Sequence, residues 1–127
     1  MPAKIIHSQS VQETWFNKEG CHIQEIGNTP DDPDVSIARA RVAPGHHTHW
    51  HSLRNTTERY LIVAGTGTVE IGELAPTTVV AGDLVVIPPG VRQRIINNGN
   101  TDLLFYAICS PRFTPDCYQD LEPDGYR

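Results

Sequence analysis

The chain is short of several things, and each shortage removes a class of protein. Cysteine is scarce: Cys21, Cys109 and Cys117 are odd in number and widely spaced. No C-x-x-C pair is present, so neither a disulfide framework nor a thiolate zinc site is expected. Reduced thiols in a cytoplasmic protein are the simplest reading. Positive charge is in the minority, with ten Lys and Arg against fifteen Asp and Glu, a net of −5. The basic footprint of a nucleic-acid binder is therefore missing. No apolar run approaches a membrane span, and Met1 to Ser10 has no apolar stretch of signal-peptide length. A soluble chain is expected, with neither nucleic acid nor membrane as a partner. Amphipathic helical spacing is also lacking.

What is present is punctuation. Ten glycines and ten prolines divide the 127 residues into short runs rich in Val, Ile and Thr. Strands are expected at residues 22–26, 35–42, 58–64, 68–71, 77–80, 84–87, 91–96 and 103–108, with turn signals between them. Eight short strands in 127 residues predict one all-β domain, an antiparallel sandwich or barrel. Its core spans about residues 35–110, preceded by N-terminal strands in 1–34 and followed by an extension over 110–127. That extension reads as a single helical turn or an arm packed across a neighbour. Gly65, Gly67, Gly82 and Gly90 fall where turns need positive φ.

Four of the six histidines crowd into one stretch: His46, His47, His49 and His51. Neutral imidazole is the commonest protein metal ligand. In an extended strand, alternate side chains share a face, so His47, His49 and His51 would point one way and His46, Thr48 and Trp50 the other.

Two spaced motifs then resemble the cupin superfamily, whose members are double-stranded β-helix (jelly-roll) barrels. The first runs Gly45, five residues, His51, Ser52, Leu53, four residues, Glu58, six residues, Gly65. The second comprises Gly82, Pro88, Gly90, Gln93 and Asn97. Leu53 stands where the family carries a second histidine, and Gln93 where it carries a third. The segments Thr57–Tyr60, Arg92–Ile95 and Cys109–Phe113 look like a subgroup of small cupin-2 proteins.

The resemblance implies a divalent transition metal (Mn, Fe, Ni or Zn) inside the barrel. His51 and Glu58 are in register as ligands, and Gln93 offers an amide oxygen. His49 can replace the lost imidazole if the H-x-H pair is His49-Trp50-His51. An amide is a weaker donor than imidazole, so weaker binding than in a three-histidine cupin is expected. The other reading of these histidines is that they line the barrel mouth as hydrogen-bonding side chains without a metal.

Further expectations attach to single residues. Glu58 shares the inward face with Tyr60 and Ile62 and is the candidate proton-transfer residue. His47, Leu53 and Tyr60 are candidate pocket-lining positions. Alternation sends Arg59, Arg92 and Arg94 outward. Arg39 and Arg41 share a face, and if that face is inward they would grip a carboxylate. Trp50 is expected in the core or at an interface.

The resulting expectation is a metal-dependent enzyme acting on a small molecule, of isomerase, lyase or dioxygenase type, in which the ion polarises a carbonyl or hydroxyl. The rival is a non-catalytic barrel that binds a sugar or organic acid. Exposed sheet edges and the C-terminal extension point to a homodimer.

Overall fold

A computed structural model describes residues 1–122. Eleven strands are found there: β1 (Thr14–Phe16), β2 (Cys21–Gly27), β3 (Ser36–Val42), β4 (His51–Leu53), β5 (Thr57–Ala64), β6 (Thr66–Ile71), β7 (Thr77–Val80), β8 (Leu84–Ile87), β9 (Gln93–Ile96), β10 (Leu103–Ser110) and β11 (Tyr118–Asp120). Each of the eight expected strands is present, with ends shifted by two residues at most. Two antiparallel sheets result, one ordered β1-β2-β3-β10-β5-β8 and the other β11-β4-β9-β6-β7. The late strand β10 inserts between β3 and β5. That crossover makes the sandwich a jelly roll rather than a meander.

Period-two alternation decides what each strand buries. Along β5, Glu58, Tyr60 and Ile62 are buried, while Leu61 and Val63 are exposed. Ala40 and Val42 of β3, Phe105 of β10, Ile87 of β8, Ile71 of β6 and Ile95 of β9 complete the core between the sheets. Leu53, Cys109 and Cys117 form a second cluster, covered by Phe113 and Tyr118.

Polar groups brace one end. Asn97, wholly buried, donates from Nδ2 to the Val42 and Thr101 carbonyls at 2.8 Å each and accepts from the Gly99 amide at 3.0 Å. Thr48 accepts from the Ile95 amide through its hydroxyl at 2.9 Å.

Three of the expected turn glycines behave as such: Gly65, Gly82 and Gly90 have φ of 86°, 96° and 78°. Gly67 differs. It lies inside β6 without positive φ, and a Cβ there would stand 2.7 Å from Leu103 Cδ2 and 3.0 Å from the Ile96 carbonyl oxygen. Its side chain is missing because two strands close over it, not because the chain turns.

The C-terminal segment forms a short helical turn, Pro115–Cys117, and then adds β11 to β4 of its own sheet. The part of the expected extension at residues 123–127 lies outside the described residues. Strands β1, β4 and β11 are three residues each, too short to leave a periodic signature in sequence.

Replacing Gly67 by Ala should therefore lower stability by about 1–3 kcal/mol through overpacking. Gly27→Ala, which meets nothing within 4 Å, should stay near neutral. Urea denaturation of the two variants checks the contrast.

Candidate functional site

Register brings the chemistry together. On one sheet, β4 sets His51 opposite Gln93 of β9, with Asp120 of β11 on its other side. On the facing sheet, β5 sets Glu58 opposite Cys109 of β10. Beside Glu58 and Cys109 lies a cavity of about 400 Å³, lined by β1, the β1–β2 turn, β2, β3, β5 and β10 and by Tyr118 of β11. Its apolar wall includes Ala38, Ala40, Tyr60, Phe105, Ala107 and Phe113, and its carboxyl groups come from Glu19, Glu25 and Glu58.

Glu58 is 7% exposed and has no cation beside it. One carboxyl oxygen, Oε2, accepts from the Cys109 thiol at 3.7 Å. The other, Oε1, is buried without a partner, as is Nε2 of Gln93. The Gln93 amide is near enough to favour the Glu58 anion slightly, but completes no hydrogen bond to it. The carbonyl oxygen of Gln93 accepts from the Tyr60 hydroxyl. Burial dominates the titration of Glu58, and the nearby Glu19 adds like-charge repulsion, so its pKa rises to about 7.

Glu19 was not foreseen. It belongs to the tight turn between β1 and β2, where Gly20 adopts φ of 79°. A Cβ on Gly20 would press on the His49 ring at 3.2 Å from Nε2, so glycine lets this turn approach the histidine segment. The Glu19 carbonyl accepts from the His49 amide at 2.9 Å. Its carboxyl then reaches His51, with Oε1 3.2 Å from Nε2. Burial raises Glu19 to about 7 as well.

His51 is held on three sides. Its Nδ1 lies 2.6 Å from the His49 carbonyl, which fixes Nδ1 as the protonated donor. Nε2 faces Glu19, and the ring stacks on Tyr118 with centroids 5.1 Å apart and 16° between planes. Burial holds its pKa below the ordinary value, against the pull of Glu58. The imidazole is therefore neutral at neutral pH, and Glu19 and His51 are placed to pass a single proton between them.

Other sequence-predicted residues fall elsewhere. Residues 44–50 contain only an isolated bridge at His47, and β4 begins at His51, so strand alternation does not govern His47 or His49. The His49 ring lies against Gly20. His47 pairs with Ile96 and sets Nδ1 3.0 Å from the Thr48 carbonyl. His46 is exposed. Tyr60 lines the cavity, whereas Leu53 sits in the second apolar cluster. Arg41 points away from the cavity, where its Nη2 binds Glu13 at 2.8 Å, because Ala38 and Ala40 take the inward positions of β3. Trp50 is half-buried, with Arg92 and Arg94 each 4.6 Å from its ring centre.

These contacts bear on the implied metal. Among the described residues, no three His, Cys, Asp or Glu side chains converge as an ion would require. Both ring nitrogens of His51 are engaged, and the Gln93 oxygen is taken by Tyr60. What Gln93 turns toward Glu58 is its NH₂, a donor with no lone pair for an ion. With both His51 nitrogens engaged and the Gln93 oxygen taken, these two residues offer no open donor to an ion in this arrangement.

Comparison with solved structures shows the fold. A protein described as a predicted oxalate decarboxylase from Thermotoga maritima superposes with a TM-score of 0.76 at 21% identity, covering 85% of this chain and 99% of that one. Pac13, a nucleoside dehydratase from Streptomyces, gives 0.77 at 20% identity over 94% and 92% of the two chains. KdgF from Halomonas sp. gives 0.74 at 18% identity over 87% and 96%. No curated protein sequence matches. The cupin domain family Cupin_2 matches residues 38–109, more than half of the 127, and the chain belongs to that family.

Proposed function

We propose that this barrel is a small-molecule enzyme that works by general acid–base catalysis, with Glu58 and Glu19 as its two proton-handling groups. One observation carries the reading. Two carboxyl groups line one cavity, Glu58 buried and Glu19 partly so; among the described residues neither forms an ion pair with a Lys or Arg, and one oxygen of Glu58 completes no hydrogen bond. Like-charge neighbours in a low dielectric do not both ionise readily, so near neutral pH one serves as base while the other holds a proton. The Glu58 carboxyl, which lines the cavity, accepts a proton from a bound molecule. Glu19, backed by His51, is set to donate one. His51 does not line the cavity; it is a positioning residue that holds and recharges Glu19.

Removing a proton from one carbon while protonating the hydroxyl on the next, whose C–O bond breaks as the C=C bond forms, eliminates water; returning the proton to a different carbon of the enolised substrate is isomerisation. Both belong to the lyase and isomerase classes. Several proteins of the same fold carry enzyme names, the nucleoside dehydratase among them, which supports an enzyme reading. No step is routed through a metal, because the donors present do not converge on one.

Three outcomes are expected. In a screen of hydroxylated carbonyl compounds in D₂O, turnover should appear as deuterium uptake or loss of water by proton NMR. Glu58→Gln and Glu19→Gln should each reduce it by about 10²–10⁴-fold. His51→Gln should instead displace a limb of the pH–rate profile. Turnover untouched by Glu58→Gln would return the chain to the rival reading of a binding barrel.

The second outcome concerns ions. Protein purified without added metal should hold well under one equivalent of Mn, Fe, Ni or Zn, and chelator should leave turnover intact. A stoichiometric ion lost on His51→Ala would overturn the metal-independent reading.

The third concerns pH. A carboxyl whose pKa is raised by folding favours the folded state when protonated. The contribution of Glu19 and Glu58 is therefore largest below about 4.5 and is lost as pH rises toward about 7. His51 acts in the opposite sense, costing stability as pH falls below its ordinary 6.5. Glu58→Gln should stabilise the protein by about 1–3 kcal/mol at pH 8, with the gain shrinking at pH 5. Thermal or urea melts at the two pH values give the comparison.

A further inference from the structure

The cavity's lining is one-sided in charge. Glu19, Glu25 and Glu58 all line it. Among the described residues, the sole cation lining it is Lys18, whose side chain is exposed. The arginines of the neighbouring strands are turned away. Arg41 is held by Glu13 and Asp102, and Arg59 donates to the Ser110 hydroxyl at 3.3 Å. Among the described residues, no guanidinium lines the cavity to receive a phosphate or a carboxylate. The remaining wall is apolar and aromatic, built by Tyr60, Phe105, Phe113 and Tyr118 against three small residues, Ala38, Ala40 and Ala107. The alanines leave the space that a flat body would fill, and about 400 Å³ admits a molecule of one or two rings. The independent pointer to a ligand is Glu58 itself: more than nine-tenths buried, lining this cavity, with Oε1 lacking any donor.

Resting on the reading of this cavity as the active site, we propose that its ligand is a flat, largely apolar small molecule without negative charge, presenting an O–H or N–H donor to Glu58 Oε1. Phosphorylated and carboxylated compounds are disfavoured by repulsion from the ionised member of the Glu19–Glu58 pair and from Glu25, with no guanidinium to offset it. An ammonium or hydroxyl head meets the unpartnered oxygen, and the ring body displaces water from the aromatic wall.

Three probes of one shape separate the terms: benzylammonium, benzyl alcohol and benzoate, titrated into ¹⁵N-labelled protein and followed by amide shifts. Benzylammonium and benzyl alcohol should shift the amides of Glu58, Phe105 and Ala107 saturably. Benzoate should bind at least about tenfold more weakly than benzylammonium. Glu58→Gln should erase most of the ammonium's advantage over benzoate. Ala38→Phe, which fills the cavity and leaves Glu19 and Glu58 in place, should abolish binding of all three. Benzoate binding as tightly as benzylammonium, probes indifferent to Ala38→Phe, or no shift at these amides would each overturn the proposal. Turnover that depends on Glu58 without any charge preference would sink the selectivity alone. Charge preference with turnover indifferent to Glu58→Gln would sink the acid–base reading alone.

Discussion

Two carboxyl groups facing one apolar cavity are the constraint on which the rest of this structure turns. Moving an ionised carboxylate out of water costs several kcal/mol unless a cation or a set of donors receives it. Glu19 and Glu58 have no cation between them, only a neutral imidazole, a thiol and an amide. The protein meets the cost by letting the groups keep protons to higher pH, which is why both are raised to about 7. A group poised near neutrality is a poor structural anchor and a good proton carrier. The same physics that makes the site expensive to fold leaves its two carboxyls titrating near neutral pH.

The scaffold isolates that cost. Inward positions of β3 and β10 next to the site are small, Ala38, Ala40 and Ala107, so the cavity stays open. Their outward neighbours carry the charge, with Arg41 on Glu13 and Arg94 on Glu70. Below the site, Tyr60, Ile62, Phe105 and Ile95 pack to near-complete burial, and at the far end Asn97 ties three backbone groups together. The C-terminal strand closes the remaining side. Tyr118 lies on the His51 ring, and the Leu121 amide bonds the Trp50 carbonyl at 3.0 Å. Trp50 is clasped in turn by Arg92 and Arg94. The end of the described chain thus holds the histidine from behind while Glu19 meets it from the N-terminal side.

Legibility in the sequence follows the length over which a signal repeats. Strands of four or more residues, such as Thr57–Ala64 with its strict alternation, could be read directly, and with them the inward placement of Glu58, Tyr60 and Ile62. The jelly-roll fold followed from motif spacing, because Gly65, Gly82 and Gly90 mark turns whose backbone only glycine adopts easily. What stayed hidden is non-local. Glu19 lies 32 positions before His51 in a turn that carries no motif, and only the packing of Gly20 against His49 shows why that turn comes near. The face of Arg39 and Arg41 was open until pairing with β10 fixed it. His49 shows a rule applied outside its domain: alternation holds within strands, and the chain becomes a strand only at His51.

The two departures from the cupin pattern make sense as a pair. Leu53 occupies an imidazole's place and instead packs with Cys109 and Cys117 under Phe113 and Tyr118. A histidine there would bring a polar ring into the cluster that seats Tyr118 over His51. Gln93 occupies another imidazole's place, and an amide can do what an imidazole lone pair cannot do in both directions at once. Its oxygen accepts from Tyr60, and its nitrogen leans toward Glu58. Tyr60, Gln93 and Glu58 thereby form a line of groups graded from neutral donor to titrating acid. One substitution packs against Tyr118, which stacks on His51, and the other turns an amide toward the Glu58 carboxyl without completing a hydrogen bond to it.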